Sequence, residues 1–336
     1  MEVAGWRAEQ VIPDCKPLQY KWDQEQGIKT PPAWMSNRPF RWYWTKRLKT
    51  DPVSWTLNRI LLSQLQTLQP EVVWAFSGVK ALTNPKLVAE IRKQARHLIL
   101  WWACPLSSKV PYDQFDLILS GIPTLVRYFQ LQGLQAAYMP HAFDERILER
   151  VSVKTERVPR VAFVGSLSAH HLDRVMFLDA LSRKVEVDFY GTGIELLPYQ
   201  SPLRKNAHSP LWGEQLYEVY GSYLIAFHKN IGIAGQSLSA KRIFEATGMG
   251  ACLVTEQPDS ESEMLFEPER EIVTYSSLED CIDKVQYLLA NPKKAQEIGK
   301  LGQEKTLKAH TYKQRIKQLE EHLLEAGLQP KTEMNH

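Results

Sequence analysis

Short apolar runs alternate with longer segments of helical spacing along most of the chain. In the second half, strand-like runs at Val161–Gly165, Tyr223–His228 and Phe266–Tyr275 are separated by such helical segments. Parallel strands need a crossover between them, usually a helix, so this alternation predicts an α/β fold with parallel sheets. We expect the elements from Val161 to Leu307 to form one Rossmann-like domain.

A polar stretch at Glu149–Arg160, punctuated by Pro159, divides the chain into two parts. The length of 336 residues is also typical of two domains. We therefore predict an N-terminal Rossmann-like domain at 1–150, a C-terminal one at 151–310, and a C-terminal helix with a loose tail at 311–336. A cleft between two such domains is the usual place for a ligand.

Composition narrows the class of protein. Hydrophobic residues make up 44% of the chain, which is enough for ordinary buried cores. No signal peptide opens the sequence, and no run approaches the roughly 18 apolar residues of a membrane-spanning helix. The widely spaced cysteines indicate free thiols in the reducing cytoplasm; they are Cys15, Cys104, Cys252 and Cys281. A net charge of +3 does not indicate nucleic acid as a partner.

The segment Ala240–Thr255 predicts a short helix that begins with two cations and ends at glycines before an apolar strand. Ser237 or Ser239 can cap this helix, which puts Lys241 and Arg242 in its first turn. The helix dipole repels cations there unless a bound phosphate reverses the effect, so the pattern predicts a diphosphate pocket. Glu245, one turn later, could accept hydrogen bonds from sugar hydroxyls. Alternatively, the three side chains form ordinary ion pairs on a solvated helix face.

Further motifs surround this helix. Arg242–Gly250, Glu271–Tyr275 and His310–Tyr312 follow the patterns R-x-F-E-A-x-x-x-G, E-I-V-x-Y and H-T-Y in that order. Together they resemble the C-terminal domain of GT-B glycosyltransferases, specifically the spore-maturation-type (CgeB-like) branch of the group 1 glycosyl transferases. The resemblance implies two Rossmann-like domains facing each other across a cleft. It also implies transfer of a sugar from a nucleotide-diphosphate sugar to an acceptor hydroxyl, with retention of configuration and without metal.

The resemblance also implies roles for single residues. Gly165 would end the first strand of the C-terminal domain, and Arg174 would face the phosphates from the next helix. With Lys241 and Arg242, Arg174 would stabilise charge on the β-phosphate, while Glu245 would hold the ribose.

Two histidines are the candidates for catalytic residues. The resemblance places His228 towards the cleft, where a buried structural histidine is an equal alternative, and His141 at the interdomain rim. The resemblance names no general base, since the donor phosphate itself can serve in retaining transfer. No metal site and no cofactor other than the donor substrate is expected.

Two features depart from the wider pattern of retaining enzymes. Many of these enzymes carry two glutamates eight residues apart; Glu245 matches the second, but Ser237 stands at the first. We expect Gln236 and the backbone amides of Gly232–Ser237 to bind the donor sugar instead. At the other end, Met1–Ile12 contains only a short strand-like piece. The N-terminal domain either lacks its first strand and helix or begins late, and its sheet would then expose an edge or an apolar groove.

The segment Arg38–Lys49 holds five cations, four aromatic residues and no acid. This mixture suits a membrane interface, a sugar acceptor or stacked nucleotides. The alternative is an irregular surface segment whose aromatic side chains pack on the core. We expect this segment to contact the acceptor, which is a sugar, a lipid-linked molecule or a protein, or the inner face of the membrane.

Two other classes of function share the expected fold. Ser237 and the short N-terminus are compatible with a non-catalytic sugar-nucleotide-binding or scaffold protein. A sugar-nucleotide epimerase would need carboxylates and histidines in the cleft. Donor hydrolysis separates the classes, because a transferase usually leaks hydrolysis, an epimerase yields a new sugar nucleotide, and a scaffold does neither.

Overall fold

Two units, each built on a parallel sheet, account for the chain. The computed structural model describes residues 6–27, 38–48, 51–230, 240–258 and 265–328. Unit 1 comprises Met1–Ser120, Thr124–Tyr138 and Glu320–His336, and unit 2 comprises Gly121–Pro123 and Met139–Leu319. The main part of unit 2 thus begins upstream of the predicted linker at 149–160, because Phe143 and Val151 are buried in its core.

Unit 1 holds four parallel strands in the order β1-β2-β3-β4 among the described residues. Its strands are β1 (Val72–Phe76), β2 (His97–Trp101), β3 (Leu117–Ser120) and β4 (Ala136–Tyr138). Its helices are α1 (Lys16–Glu25), α2 (Arg38–Leu48), α3 (Pro52–Leu68) and α4 (Pro85–Arg92), and α5 (Pro123–Leu131) follows β3. Strands β2 and β3 are fully buried, whereas β1 is a half-buried edge strand that ends in an exposed Phe76. An exposed edge was expected for this sheet.

Helices are the first elements of the described N-terminal region. Residues 6–15 contain no strand, and the first element among the described residues is α1. The alternative of an irregular segment is wrong for Arg38–Leu48, which form α2, because Pro39 lies in the first turn, where proline is tolerated, and no helix breaker follows. Trp42 is 64% exposed and Tyr43 is 52% exposed, so these two rings do not pack into a core. No helix in the described ranges is long and apolar enough to span a membrane.

Unit 2 has a six-stranded parallel sheet in the order β10-β9-β8-β5-β6-β7. Its strands are β5 (Val158–Val164), β6 (Val187–Tyr190), β7 (Ala207–His208), β8 (Tyr223–Phe227), β9 (Cys252–Glu256) and β10 (Val273–Tyr275). Its helices are α6 (Leu172–Ser182), α7 (Pro202–Lys205), α8 (Glu214–Ser222), α9 (Lys241–Gly248), α10 (Leu278–Ala290) and α11 (Pro292–Ala309). The last helix, α12 (Tyr312–Glu325), contains the division between the units, after Leu319. The predicted α/β fold with parallel sheets is confirmed.

Strand β10 is shorter than the predicted run from Phe266 to Tyr275. Glu269 has a φ of 60°, and the backbone N–H of Glu271 donates to the carbonyl of Glu267, so a turn occupies 267–271. The predicted strand was therefore too long at its start, because the strand begins only at Val273.

Close packing holds α9 against Phe143. A Cβ atom on Gly248, in the last turn of α9, would lie 2.3 Å from a ring carbon of Phe143. Glycine is therefore required at 248, and the helix is held against residues around 143.

Candidate functional site

The strand order of unit 2 reverses between β5 and β8. From β5 the chain proceeds outwards to β6 and β7, and it then returns to pair β8 with the other side of β5. Open parallel sheets bind ligands at the carboxyl ends of the strands beside such a reversal. Gly165 directly follows β5 and His228 directly follows β8, so two predicted site residues lie at this point.

Three cations act on the buried imidazole of His228. His228 is 8% exposed, and its Nδ1 lies 3.3 Å from the hydroxyl oxygen of Thr255 at the end of β9. Burial, followed by the positive charges of Arg174, Arg242 and Lys229, lowers the pKa of His228 to about 3. The imidazole is therefore neutral at pH 7, and the positive charges of residues on α6, on α9 and after β8 all act on it.

Arg174 is fixed to the backbone at the strand ends. Its Nη2 donates to the carbonyl oxygen of Lys229 at 2.6 Å, and its Nη1 donates to the carbonyl oxygen of Ser166 at 3.4 Å. Its Nε is buried without a hydrogen-bond partner among the described residues. The guanidinium is also 6.0 Å from the ring centroid of Phe163. Arg174 is thus held beside Gly165 with donor capacity that the described protein groups do not use.

An ion pair that the sequence analysis did not identify lies at the same edge. The Nζ atom of Lys229 is 2.5 Å from Oε1 of Glu256, and the backbone N–H of Asn230 donates to Oε2 at 2.8 Å. Glu256 ends β9, and Lys229 stands two residues after the end of β8. The signal in the sequence was a lysine two residues after one apolar run and a glutamate at the end of another. These two runs are strands that pair in the sheet.

Helix α9 begins with the two predicted cations. Its N-cap is Ala240, which makes no side-chain cap hydrogen bond, and Ser237 and Ser239 lie outside the described residues. Lys241 and Arg242 occupy the first turn, where no acidic residue is present. Gln236 and the loop Gly232–Ser237 also lie outside the described residues. The expected contacts of that loop with the donor sugar therefore remain a prediction.

Glu245 is buried between these cations. Lys241 Nζ lies 3.3 Å from Oε1, Arg242 donates to Oε2, and the side chain of Glu245 is only 3% exposed. The i,i+4 and i,i+3 ion pairs considered in the sequence are therefore present. Their carboxylate end does not lie on a solvated face, because every residue from Ile243 to Gly248 is buried, whereas the Lys241 side chain is 52% exposed.

Two tyrosines share the surroundings of Glu245. Burial and, to a smaller extent, the charge of Glu245 raise the pKa of Tyr217, which lies on α8. The pKa of Tyr312, at the start of α12, is also raised by burial and by Glu245, and Lys241 opposes the shift. The carboxylate therefore lies near phenol groups from two other helices.

His141 lies within electrostatic reach of the same helix start. Burial, then the charges of Lys241 and Arg315, lower the pKa of His141 to about 4. The carbonyl oxygen of His141 accepts a hydrogen bond from Arg315 Nε at 3.1 Å. The structure thus brings His141 towards Lys241, while its catalytic role remains a prediction.

Comparison with known proteins bears on this part of the chain. Residues 174–321 match the model of a family described as glycosyl transferase-like. The match covers less than half of the chain, and it includes Arg174, His228, all of α9 and Glu256. Among curated proteins, the comparison finds no match.

Solved structures extend the similarity to most of the chain. HepE from Anabaena, in complex with UDP and glucose, is 14% identical with a TM-score of 0.57, over 80% of this chain and 82% of HepE. Sucrose-phosphate synthase from Thermosynechococcus elongatus is 12% identical with a TM-score of 0.55, over 80% of this chain and 79% of the synthase. The pneumococcal O-GlcNAc transferase GtfA, in complex with UDP and GlcNAc, is 12% identical with a TM-score of 0.53.

The match to GtfA covers 80% of this chain and 60% of GtfA, so the chain spans less than two thirds of that relative. Together, the solved structures confirm the predicted GT-B fold with Rossmann-like domains, and the family model shows that residues 174–321 are similar to glycosyl transferases. They support the GT-B glycosyltransferase group without distinguishing its spore-maturation-type branch.

Proposed function

We propose that this protein transfers a sugar from a nucleotide-diphosphate sugar to an acceptor hydroxyl, and that unit 2 binds the donor. The observation that carries the proposal is the position of Arg174, which donates to the carbonyl oxygens of Ser166 and Lys229 beside the strand reversal between β5 and β8. A neutral imidazole among several cations leaves a positive potential that suits an anion. The match of residues 174–321 to a glycosyl transferase-like family supports the same assignment.

The donor diphosphate would lie against Arg174 and the first turn of α9. Breaking the bond between sugar and diphosphate leaves negative charge on the β-phosphate, which fixed cations and free backbone N–H groups stabilise. Arg174 is already held in place by its bond to the Lys229 carbonyl oxygen, so little reorganisation is needed. Removal of one well-placed donor of this kind typically costs about 3–4 kcal/mol of transition-state stabilisation.

Glu245 would bind the ribose of the same donor. Its ion pairs with Lys241 and Arg242 fix the carboxylate one turn from the proposed diphosphate position. A ribose diol is a pair of hydroxyl donors, and a carboxylate accepts two such bonds well. Retention of configuration, independence of metal ions and membership of the spore-maturation-type branch belong to this proposal as well.

The acceptor would be bound through unit 1, with α2 as the proposed contact. In this helix, Lys46 Nζ lies 4.8 Å from the ring centroid of Trp42, and the Arg47 guanidinium lies 6.0 Å from that of Tyr43. These exposed pairs of cation and aromatic ring, one helical turn apart, support contact with a sugar acceptor or with a lipid-linked acceptor at an anionic membrane surface.

Two measurements test the donor assignment. Thermal unfolding with UDP, GDP, ADP and their sugar conjugates should show stabilisation by one nucleotide, since a ligand at 100 times its Kd adds about 2.7 kcal/mol. Incubation with the stabilising sugar nucleotide should then release free sugar slowly. A new sugar nucleotide would identify an epimerase instead, and binding without turnover, even with candidate acceptors, would favour a scaffold.

A further inference from the structure

The pair formed by Lys229 and Glu256 has no assigned role so far. Its lysine belongs to the cation cluster, a name used here for Arg174, Lys229 and Arg242, whose charges all act on His228. Strands β8 and β9 are neighbours, and Phe227 is paired with Val254 near their carboxyl ends. The side chains of Lys229 and Glu256 are only 11% and 14% exposed. Since Lys229 Nζ and the Asn230 N–H bind different oxygens of Glu256, both oxygens have partners next to the end of β8.

Glu256 places a negative charge close to a proposed anion site. The charges of Asp173 and, to a smaller extent, of Glu256 act on Arg174, where they oppose the effect of burial on the pKa of the guanidinium. Arg174 in turn donates to the carbonyl oxygen of Lys229 at 2.6 Å. Without a counter-charge, the carboxylate would attract the guanidinium and repel a diphosphate, because both effects are strong in a partly buried site.

We propose that Lys229 is a positioning residue for the donor diphosphate. Its ammonium group neutralises Glu256, and its carbonyl oxygen orients Arg174, so the guanidinium charge is left for the phosphates. This inference rests on the proposed donor site. Lys229 itself does not have to touch the donor.

The ion pairs agree with this role. Lys241 and Arg242 both pair with Glu245, and Lys229 pairs with Glu256. Loss of the Lys229 charge would leave Glu256 without its ion-pair partner, whereas loss of the Glu256 charge would remove a negative charge from the neighbourhood of the proposed diphosphate.

Calorimetric titration of three variants tests the proposal: Lys229→Met, Glu256→Gln and the double variant. Each is titrated with the nucleoside diphosphate that the wild type binds and with the corresponding uncharged nucleoside. We expect Lys229→Met to weaken binding of the diphosphate at least tenfold while nucleoside binding is unchanged. Glu256→Gln should bind the diphosphate as tightly as the wild type or more tightly, and the double variant should recover most of the loss.

A matched lysine serves as the control. Lys284, on α10, pairs with Glu269 at 3.2 Å and with Asp280 at 3.4 Å, and it lies outside the cation cluster. Lys284→Met should leave both affinities unchanged.

Two results would overturn the proposal. One is that Lys229→Met binds the diphosphate as tightly as the wild type does. The other is that Lys229→Met loses affinity for diphosphate and nucleoside equally, and that the double variant does not recover the loss. If Lys229→Met does not fold, Glu256→Gln decides alone, since weaker binding of the diphosphate would identify a structural clamp. A wild type that binds no nucleoside diphosphate would instead refute the proposed function, and the role of Lys229 with it.

Discussion

Arg242 and Glu245 form an ion pair across one turn of α9, and the carboxylate of Glu245 is almost completely buried. Lys241 binds the other carboxylate oxygen, at 3.3 Å. The pair thus joins a cation proposed to bind phosphate to an acid proposed to bind ribose. A substitution of either residue must change folding stability as well as ligand binding, because it leaves buried charge with fewer partners.

Replacement of Arg242 should therefore affect two measurements. We expect Arg242→Ala to weaken binding of a nucleoside diphosphate at least tenfold and to lower the free energy of unfolding by about 3–5 kcal/mol. Calorimetry and chemical denaturation measure the two effects separately. Arg183→Ala is the control, since Arg183 forms an exposed pair with Asp179 on α6, and it should cost less than about 1 kcal/mol. A folded Arg242→Ala variant with unchanged affinity would remove Arg242 from the site.

The role of Glu245 can be separated from its ion pairs by a change in the ligand. We expect Glu245→Gln to weaken binding of a ribonucleoside diphosphate by about 1.5–3 kcal/mol, because hydrogen bonds to a charged acceptor are lost. A 2′,3′-dideoxy nucleotide has no diol, so its affinity should differ little between wild type and variant. Equal losses with both nucleotides would show that Glu245 acts only through Lys241 and Arg242.

Local sequence patterns predicted most of the elements in unit 2. The apolar runs at Val161 and Tyr223 are strands because they are short, continuous and buried on both faces, as in other parallel sheets. The two cations in the first turn of α9 could also be predicted from the sequence. Because cations are unfavourable there without an anion, their position is what predicts a phosphate.

The environment of the site residues could not be predicted in this way. Burial of Glu245 depends on how α9 packs in the tertiary structure, and the pairing of Lys229 with Glu256 depends on which strands become neighbours. Helix α2 was not predicted for another reason. The basic and aromatic composition of Arg38–Lys49 indicates a contact surface, but composition alone does not indicate a helix. The i,i+4 spacing of Trp42 with Lys46 and of Tyr43 with Arg47 was the available signal.

Buried histidines should make the stability of the protein sensitive to acid. The pKa of folded His228 is lowered to about 3, whereas the unfolded residue titrates near 6.5. Between these values the unfolded chain binds more protons, so the contribution is complete above about pH 6.5 and decreases as the pH falls towards 3. The loss reaches about 1.4 kcal/mol per pH unit for one such group. His141 and His310, each with a pKa of about 4, act in the same direction.

Denaturation curves between pH 7 and pH 4.5 measure this effect. The decrease in unfolding free energy should be smaller in a His228→Gln variant than in the wild type, because one titrating group is absent. Replacement of His170, which is exposed, is the matched control for the loss of a histidine. Identical slopes in wild type and His228→Gln would contradict the assignment of a neutral, buried imidazole.

Arg315 should be one of the most sensitive positions for stability. It is 9% exposed, and its Nε donates to the carbonyl oxygens of Pro140 at 3.0 Å and His141 at 3.1 Å, while Nη2 lies 3.0 Å from His310 Nδ1. Arg315→Met would leave these buried acceptors without a donor, at about 1–3 kcal/mol each, so we expect a total above about 3 kcal/mol. Lys317→Met, an exposed position on the same helix, should change the unfolding free energy by less than about 0.5 kcal/mol. Similar values for the two variants would refute the prediction.

Helix α2 should bind reversibly to anionic membranes if its acceptor is presented there. The sequence Arg38–Lys49 carries five cations, and each one near an anionic surface contributes about 1 kcal/mol. Because Trp42 and Tyr43 are the exposed rings, the structure favours a Trp42→Ala/Tyr43→Ala variant as the test. Sedimentation with phosphatidylserine vesicles should show binding of the wild type at low salt, weaker binding of the variant, and release of both as salt rises. Trp212→Ala, which removes an exposed tryptophan from unit 2, should bind as the wild type does. If the wild type ignores the vesicles and the double variant transfers sugar at the normal rate, α2 contacts neither membrane nor acceptor.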